Sequence, residues 1–486
     1  MKAAVIPLAL VPALGAVQGG FQPDSWVWAG ALAAWAAAVA LIASTSPGLL
    51  RAQWPWVAAA AAVLVWTALS AIWSSRTSQT ILEARRAVLY AAVVLALVLL
   101  ARRGATRAIV LGTWGGTAGL VIYALVRYLL GTRHYDAFEA FSLNQPLGYA
   151  NAVGILAAIA TLLALGIAEA ETGRLRLAAA ATVPPLLLAL TLTASDASWL
   201  ALGAGTALIA VLLPDAHRLV VVLAAVAVPS ATLIVLGKVS DITAVVPSPR
   251  IGGVALFIAA LAGAAVAAAT LAPMRRAHIR APHNLRRAIL TVTVVLALGG
   301  AAAVAAHAGA TEPRRSYYTV AWHEYTAHPL FGSGAGTYGF AWARSGKELE
   351  FGGALDAHSI YLETLTELGP IGLVLMLMLL FVPLRALRVA RSPYVAAALG
   401  GYVAFLIHAG LDWDWELPAI VVAALACAVA ALAATPTSSA PIGKRQRFSL
   451  VLVALVLAGC AIAGARSNAV PSADRTRAPH SGALVN

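Results

Sequence analysis

Apolar runs of about 17 to 25 residues follow one another along almost the whole chain, and each is long enough to cross the hydrocarbon core of a bilayer as a helix. Inside hydrocarbon there is no water to satisfy a peptide group, and a helix is the only open-ended element that bonds its own backbone there. About fifteen such runs, the first near 3–18 and the last near 448–466, predict an all-α, polytopic transmembrane helical bundle of about 12 to 15 helices. Only 11% of the 486 residues are charged and 61% are hydrophobic, against about a quarter charged in an ordinary soluble domain. A soluble enzyme is excluded. Met1 to Val17 resembles a signal peptide, but Lys2 is its only early charge and no convincing cleavage site follows, so it is read as a retained first helix. The expected organisation is one integral membrane domain over 1–470 and a disordered tail over 471–486.

The formal charge of +13 would suggest nucleic acid in a soluble protein. Here Lys and Arg fall in short loops between apolar runs, where they set orientation, and no nucleic-acid partner is expected. With the N-terminus inside, one parity places Arg102, Arg103 and Arg107, then Arg174 and Arg176, then Arg275 to Arg287, then Arg385, Arg388 and Arg391, and finally Lys444, Arg445 and Arg447 in the cytoplasm. Arg85, Arg86, Arg314 and Arg315 land on the outer side. They either touch headgroups or pair with Glu83 or Glu312, or they bind an anionic substrate. Cys427 and Cys460 each sit in an apolar run, so neither a disulfide nor a thiolate metal site is indicated.

The same parity exposes 131–146, 238–250 and, largest, the outer loop 308–357; long loops in a chain otherwise joined by short turns are where function is carried. Within the last, a short amphipathic helix lying on the membrane is expected. Gly334-Ala335-Gly336-Thr337-Tyr338-Gly339 satisfies G-x-G-x-x-G, but no strand precedes it, and a dinucleotide site is rejected. After the loop His358, Tyr361 and Leu365 recur at helical spacing, as do Glu363 and Glu367. His358 is either a helix cap at the headgroups or a base near neutral pH. Asp412-Trp413-Asp414-Trp415-Glu416 closes another span beside His408. Indoles interleaved with carboxylates suit sugar, whose C–H faces stack on rings while its hydroxyls bond to carboxylates; the alternative is an interfacial aromatic belt. Tyr149 and Asn151 open a further span on that side, as a cap and an anchor or as contacts.

Taken together, His358-Ser359 followed by Gly369-Pro370-Ile371-Gly372 resembles the hallmark of the O-antigen ligase and O-antigen polymerase superfamily. Trp73-Ser74-Ser75 with Glu83, Arg85 and Arg86, then Pro146 to Ala152, then Arg314 with Val320-Ala321-Trp322, then His328-Pro329-Leu330-Phe331-Gly332-Ser333-Gly334, and Asp412 to Glu416 are similar to further segments of its members. The resemblance spans about 60–430. It implies a GT-C-like glycosyltransferase of the bacterial cytoplasmic membrane, taking a glycan from undecaprenyl pyrophosphate to a glycan, lipid or protein acceptor at the outer face, with no nucleotide, metal or other cofactor. On this resemblance His358 is the catalytic base. Arg314, Arg315, Arg85 and Arg86 hold pyrophosphate, while Tyr361, Glu367, Asp412, Trp413, Asp414, Trp415, Tyr149 and Asn151 contact glycan or acceptor. One departure stands out: where such proteins carry Thr-x-Ser-Arg, this chain reads Thr193-Ala194-Ser195-Asp196, and a carboxylate repels pyrophosphate. A secondary transporter is the rival class; Pro184-Pro185 is expected to break a helix, but the two halves of the chain do not echo one another and polar residues cluster at the outer surface. An inactive scaffold is the third reading.

Overall fold

The computed structural model describes the chain except residues 1, 44–47, 51–52, 102–103, 134, 137–138, 214–216, 245–250, 274–311, 348–352, 436–438 and 468–486. The expected span near 287–307, the basic cluster Arg275 to Arg287, Arg102, Arg103, the first residues of the outer loop and the tail 471–486 lie outside the described residues. Sixteen α-helices are described, in chain order α1 (Val5–Gly15), α2 (Pro23–Ala43), α3 (Trp54–Leu69), α4 (Thr77–Leu100), α5 (Thr106–Leu130), α6 (Ala150–Ala170), α7 (Gly173–Leu192), α8 (Asp196–Leu212), α9 (His217–Val239), α10 (Gly253–Leu271), α11 (Glu312–Ala327), α12 (Tyr338–Arg344), α13 (Ile360–Phe381), α14 (Pro393–His408), α15 (Pro418–Leu432) and α16 (Lys444–Ser467). Among the described residues, nine helices are long and apolar enough to cross a membrane, and four shorter apolar ones accompany them. The chain is thus an integral membrane protein of all-α character. Its β content among the described residues is a two-stranded antiparallel ribbon, β1 (Gly48–Leu50) with β2 (Ser439–Pro441), Gly48 opposite Pro441.

The bundle is organised around α6 and α15, whose residues are buried on every side. Small residues let neighbours close in: a Cβ on Gly166 would lie 2.3 Å from Cβ of Ala397, and one on Gly205 would lie 2.9 Å from the carbonyl oxygen of Gly400. Lipid-sized apolar side chains point outward instead from α9 and α10, where Val228, Val235, Val254 and Ile258 are exposed. The expectation that Pro184-Pro185 breaks a helix is corrected: α7 runs through both prolines from Gly173 to Leu192, since packing against α6, α9 and α10 holds the segment that lacks two N–H donors.

The break occurs in α13 instead. Gly369 there adopts φ +67°, ψ −174°, and Pro370 follows. Loops gather at two ends. One gathers Arg107, Glu171 and Tyr394, with Arg107 Nε donating to Glu171 Oε1 at 2.5 Å. The other carries residues 139–149 and 193–196, the turn 409–417, α11, α12 and His358.

Candidate active site

His358 lies two residues before α13 and adopts φ +52°, the left-handed region that costs an L-residue about 1–2 kcal/mol. Three bonds impose this conformation. The His358 N–H donates to Asp356 Oδ1 (3.0 Å), the Ala357 N–H to Glu363 Oε2 (2.7 Å), and the Ile360 N–H to the Ala409 carbonyl on the opposite side of the site (2.9 Å). The imidazole stacks on Tyr317 of α11, with centroids 4.4 Å apart and planes 17° apart. Tyr317 is set in turn by the Trp342 ring at 4.9 Å and by Tyr338, whose hydroxyl donates to the Tyr317 carbonyl at 3.0 Å. His358 is thus not a helix cap.

Nδ1 of His358 lies 2.8 Å from Asp356 Oδ1, paired with it but off the line of a well-formed hydrogen bond, and 18% of the side chain remains exposed. Burial works against the imidazolium, but the adjoining Asp356 outweighs it and Asp412 adds to the effect, while Arg314 opposes; the net is titration above the ordinary imidazole range. With Asp356 on the Nδ1 side, Nε2 is the nitrogen left to take a proton.

The glycines of the outer loop have a structural task. The break at Gly369-Pro370 frees carbonyls in the preceding turn. They are met by the Ser333 N–H on Thr366 O (3.1 Å), the Gly334 N–H on Glu367 O (2.8 Å) and Trp66 Nε1 on Leu368 O (3.0 Å). Both carboxylate oxygens of Glu367 accept backbone N–H groups, from Gly336 (2.7 Å) and Tyr338 (2.9 Å), at the start of α12. So close an approach leaves no room for a Cβ: one on Gly334, at φ +103°, would sit 2.4 Å from Ser74 Cβ, and one on Gly369 would sit 2.5 Å from the Leu330 carbonyl oxygen. G-x-G-x-x-G here is a strap around a broken helix.

The remaining candidates divide by what their polar atoms already hold. Tyr361 donates to the Leu406 carbonyl (2.9 Å), so its hydroxyl, like Glu367, is committed within the fold. Asp412, fully buried, accepts from Tyr149 Oη (2.7 Å) and from Asn151 Nδ2, and Trp413 packs on the Tyr149 ring at 4.5 Å. Tyr149 stands at the N-cap position of α6, but its side chain makes no capping hydrogen bond. The first N–H of the helix, at Ala150, is taken by Glu139 (2.8 Å), which sequence reasoning missed and which burial pushes up to about 7. Asp414 is fully buried against His408, and Trp415 is buried with its carbonyl accepting from Tyr90 Oη (2.6 Å).

Of the four arginines, Arg86 is buried and paired with both Glu83 and Glu416, which realises the ion-pair alternative weighed for it. Arg85 is half-buried beside it on α4. Arg314 is half-buried on α11, with its charge acting on His358, Tyr317 and Tyr318, and Arg315 is exposed. Asp196, the departure from the family pattern, is exposed at the first residue of α8.

Beneath the site a cavity of about 140 Å³ opens between α3, α4, α13, α14 and α15. Glu83, Arg86, Glu363 and Glu367 line its polar part, and Val63, Val94, Met376, Leu379, Phe405 and Leu425 its apolar part. Among the described residues no cluster of His, Cys, Asp and Glu is arranged to hold a metal ion.

No curated protein matches the chain. Residues 180–377, which run from α7 across the outer loop to the membrane half of α13 and include His358 and the Gly369 break, match the family described as O-antigen ligase. That match, over residues 180–377, bears out the resemblance to the O-antigen ligase and polymerase superfamily read from His358-Ser359 and Gly369-Pro370-Ile371-Gly372.

Proposed function

We propose that the chain transfers a glycan from undecaprenyl pyrophosphate to an acceptor hydroxyl at the outer face of the bacterial cytoplasmic membrane, with His358 as general base. The observation that carries this reading is the setting of His358. It is an imidazole in a strained turn at one end of the bundle, clamped by Tyr317, with a carboxylate on Nδ1 and Nε2 left over. In the reaction the acceptor oxygen bonds to the anomeric carbon, its proton passes to Nε2, and the carbon–oxygen bond to the carrier breaks, so that the pyrophosphate leaves with the electron pair. The leaving group needs cations. Arg86 is already neutralised by two carboxylates, and the cavity around it is rich in Glu, so its apolar walls suit a lipid chain better than its polar end suits a phosphate. Arg314, with Arg315 and Arg85 behind it, is assigned the pyrophosphate. Tyr149 and Trp413, held from beneath by the buried Asp412, form the surface assigned to sugar.

Ligase and polymerase share this chemistry and differ only in acceptor. Membranes containing wild type or His358→Ala, supplied with undecaprenyl-pyrophosphate-linked glycan and a panel of acceptors, are followed by mass spectrometry. Transfer by wild type that His358→Ala abolishes at equal expression is the expected outcome. Transfer surviving in the variant removes His358 from catalysis, and no transfer by wild type across the panel turns the reading toward a scaffold or transporter.

A further inference from the structure

We infer that His408 is a positioning residue for this site, a buried imidazole whose bond to Asp414 holds the turn bearing Asp412 and whose other nitrogen rests on Ser198 at the start of α8; the inference rests on the glycan-transfer reading. His408 is the last residue of α14 and is fully buried. Its Nδ1 pairs with Asp414, and its Nε2 lies 2.9 Å from Oγ of Ser198, 210 positions away in sequence. Ser198 Oγ lies 2.8 Å from Ser195 Oγ, and Ser195 caps α8 by accepting the Ser198 N–H at 3.3 Å. Asp, His and Ser in this order look like a nucleophilic triad, but the burial excludes that role. Ser198, His408 and Asp414 are all 0% exposed, and the backbone at Gly154 is so near that a Cβ there would lie 2.6 Å from Ser198 Oγ. No substrate reaches that hydroxyl.

What the relay holds is the short connection between α14 and α15. The Ala409 carbonyl in that connection receives the Ile360 N–H and so fixes the chain two residues beyond His358. Asp412 binds Tyr149 and Asn151, Trp413 packs on Tyr149, and the charges of both Asp412 and Asp414 are felt at His358. Burying an imidazole and a carboxylate is costly where apolar packing would serve for stability alone; here the pair fixes the direction of a turn whose other side chains face the site. It also gives the Thr193 to Ser198 segment a task. Ser195, which this chain shares with the Thr-x-Ser-Arg pattern, and Ser198, two residues beyond Asp196, are the hydroxyls that anchor His408.

Two amides separate the arms of the relay: Asn places its nitrogen near the Nδ1 position and keeps the bond to Asp414, whereas Gln reaches the Nε2 position and keeps only Ser198. Full-length wild type, His408→Asn, His408→Gln and Ser198→Ala, with His358→Ala as control, are compared in liposomes with undecaprenyl-pyrophosphate-linked glycan and the acceptor used by wild type. His408→Gln should lose about ten- to a hundredfold in kcat with donor KM unchanged, as expected of a misplaced rather than a missing group. His408→Asn and Ser198→Ala, which leave the bond to Asp414 in place, should stay within a few-fold of wild type. Amide hydrogen exchange over 409–417, which needs no activity, should quicken in His408→Gln and not in His408→Asn. An active wild type with Asn and Gln falling alike in proportion to their melting temperatures, or with Gln at full kcat, overturns the positioning role and leaves glycan transfer intact. If wild type is inactive, glycan transfer fails, and unchanged exchange in His408→Gln overturns the tie itself.

Discussion

At the scale of the residue, His358 was legible because its type and its distance from Gly369-Pro370 stand out in an otherwise apolar stretch. Its backbone conformation was not, because the bonds that impose it come from Glu363 and from Ala409, fifty-one positions on in sequence. Tyr317 was missed as the stacking partner, although it lies in the same outer-loop run as Arg314, since nothing in the order of residues tells which of Tyr317 and Tyr318 faces the imidazole. The Asp356 contact yields a pH prediction with a definite sign. A base must be unprotonated, and Asp356 raises the His358 pKa, so the acid limb of kcat in wild type lies above the ordinary imidazole value. Asp356→Asn removes the carboxylate's charge, and the acid limb should move to lower pH in a pH–rate profile; a limb that stays in place separates Asp356 from the titration. Arg314→Ala should raise donor KM at least tenfold, about 1.4 kcal/mol in binding, with little change in melting temperature.

Elements were read less evenly. The loop–helix pairing at 328–337 and 366–372 was present in the sequence as two motifs, but their interlock was not, since it depends on which carbonyls the Gly369 break releases. Pro184-Pro185 misled for the complementary reason: a proline signals a missing donor, and whether a helix survives it depends on neighbours such as α9 and α10. The interlock predicts that Glu367→Ala, which strands the Gly336 and Tyr338 N–H groups in a buried site, costs about 1–3 kcal/mol per group. Thermal unfolding in detergent should show that loss, with Glu367→Gln intermediate because one oxygen remains. Gly334→Ala should be worse than Gly203→Ala, where no atom lies within 4 Å of the added carbon.

For the whole molecule, the bilayer's demand for self-satisfied backbone made the helical bundle readable from hydropathy alone, and the basic residues expected on the outer side are the informative exceptions. Arg86 is the clearest of them. Removing it leaves Glu83 and Glu416 facing each other without their shared cation, so Arg86→Ala should cost about 3–5 kcal/mol of stability and appear as lost melting temperature before any change in donor KM. The strapped break in α13 bears on how the protein lives in membranes of different thickness. A continuous helix transmits any tilt forced by hydrophobic mismatch along its full length, whereas a jointed one confines it to the part below the joint. The segment from Ile360 to Leu368 is lashed to residues 333–334, to Trp66 and to Ala409, while the lower segment is tied to α3 and α14 through the Leu379 and Leu380 carbonyls. A lean of the lower part with its neighbours is thus taken up at the joint and the histidine keeps its bearing, much as a gimbal keeps a compass level on a rolling deck.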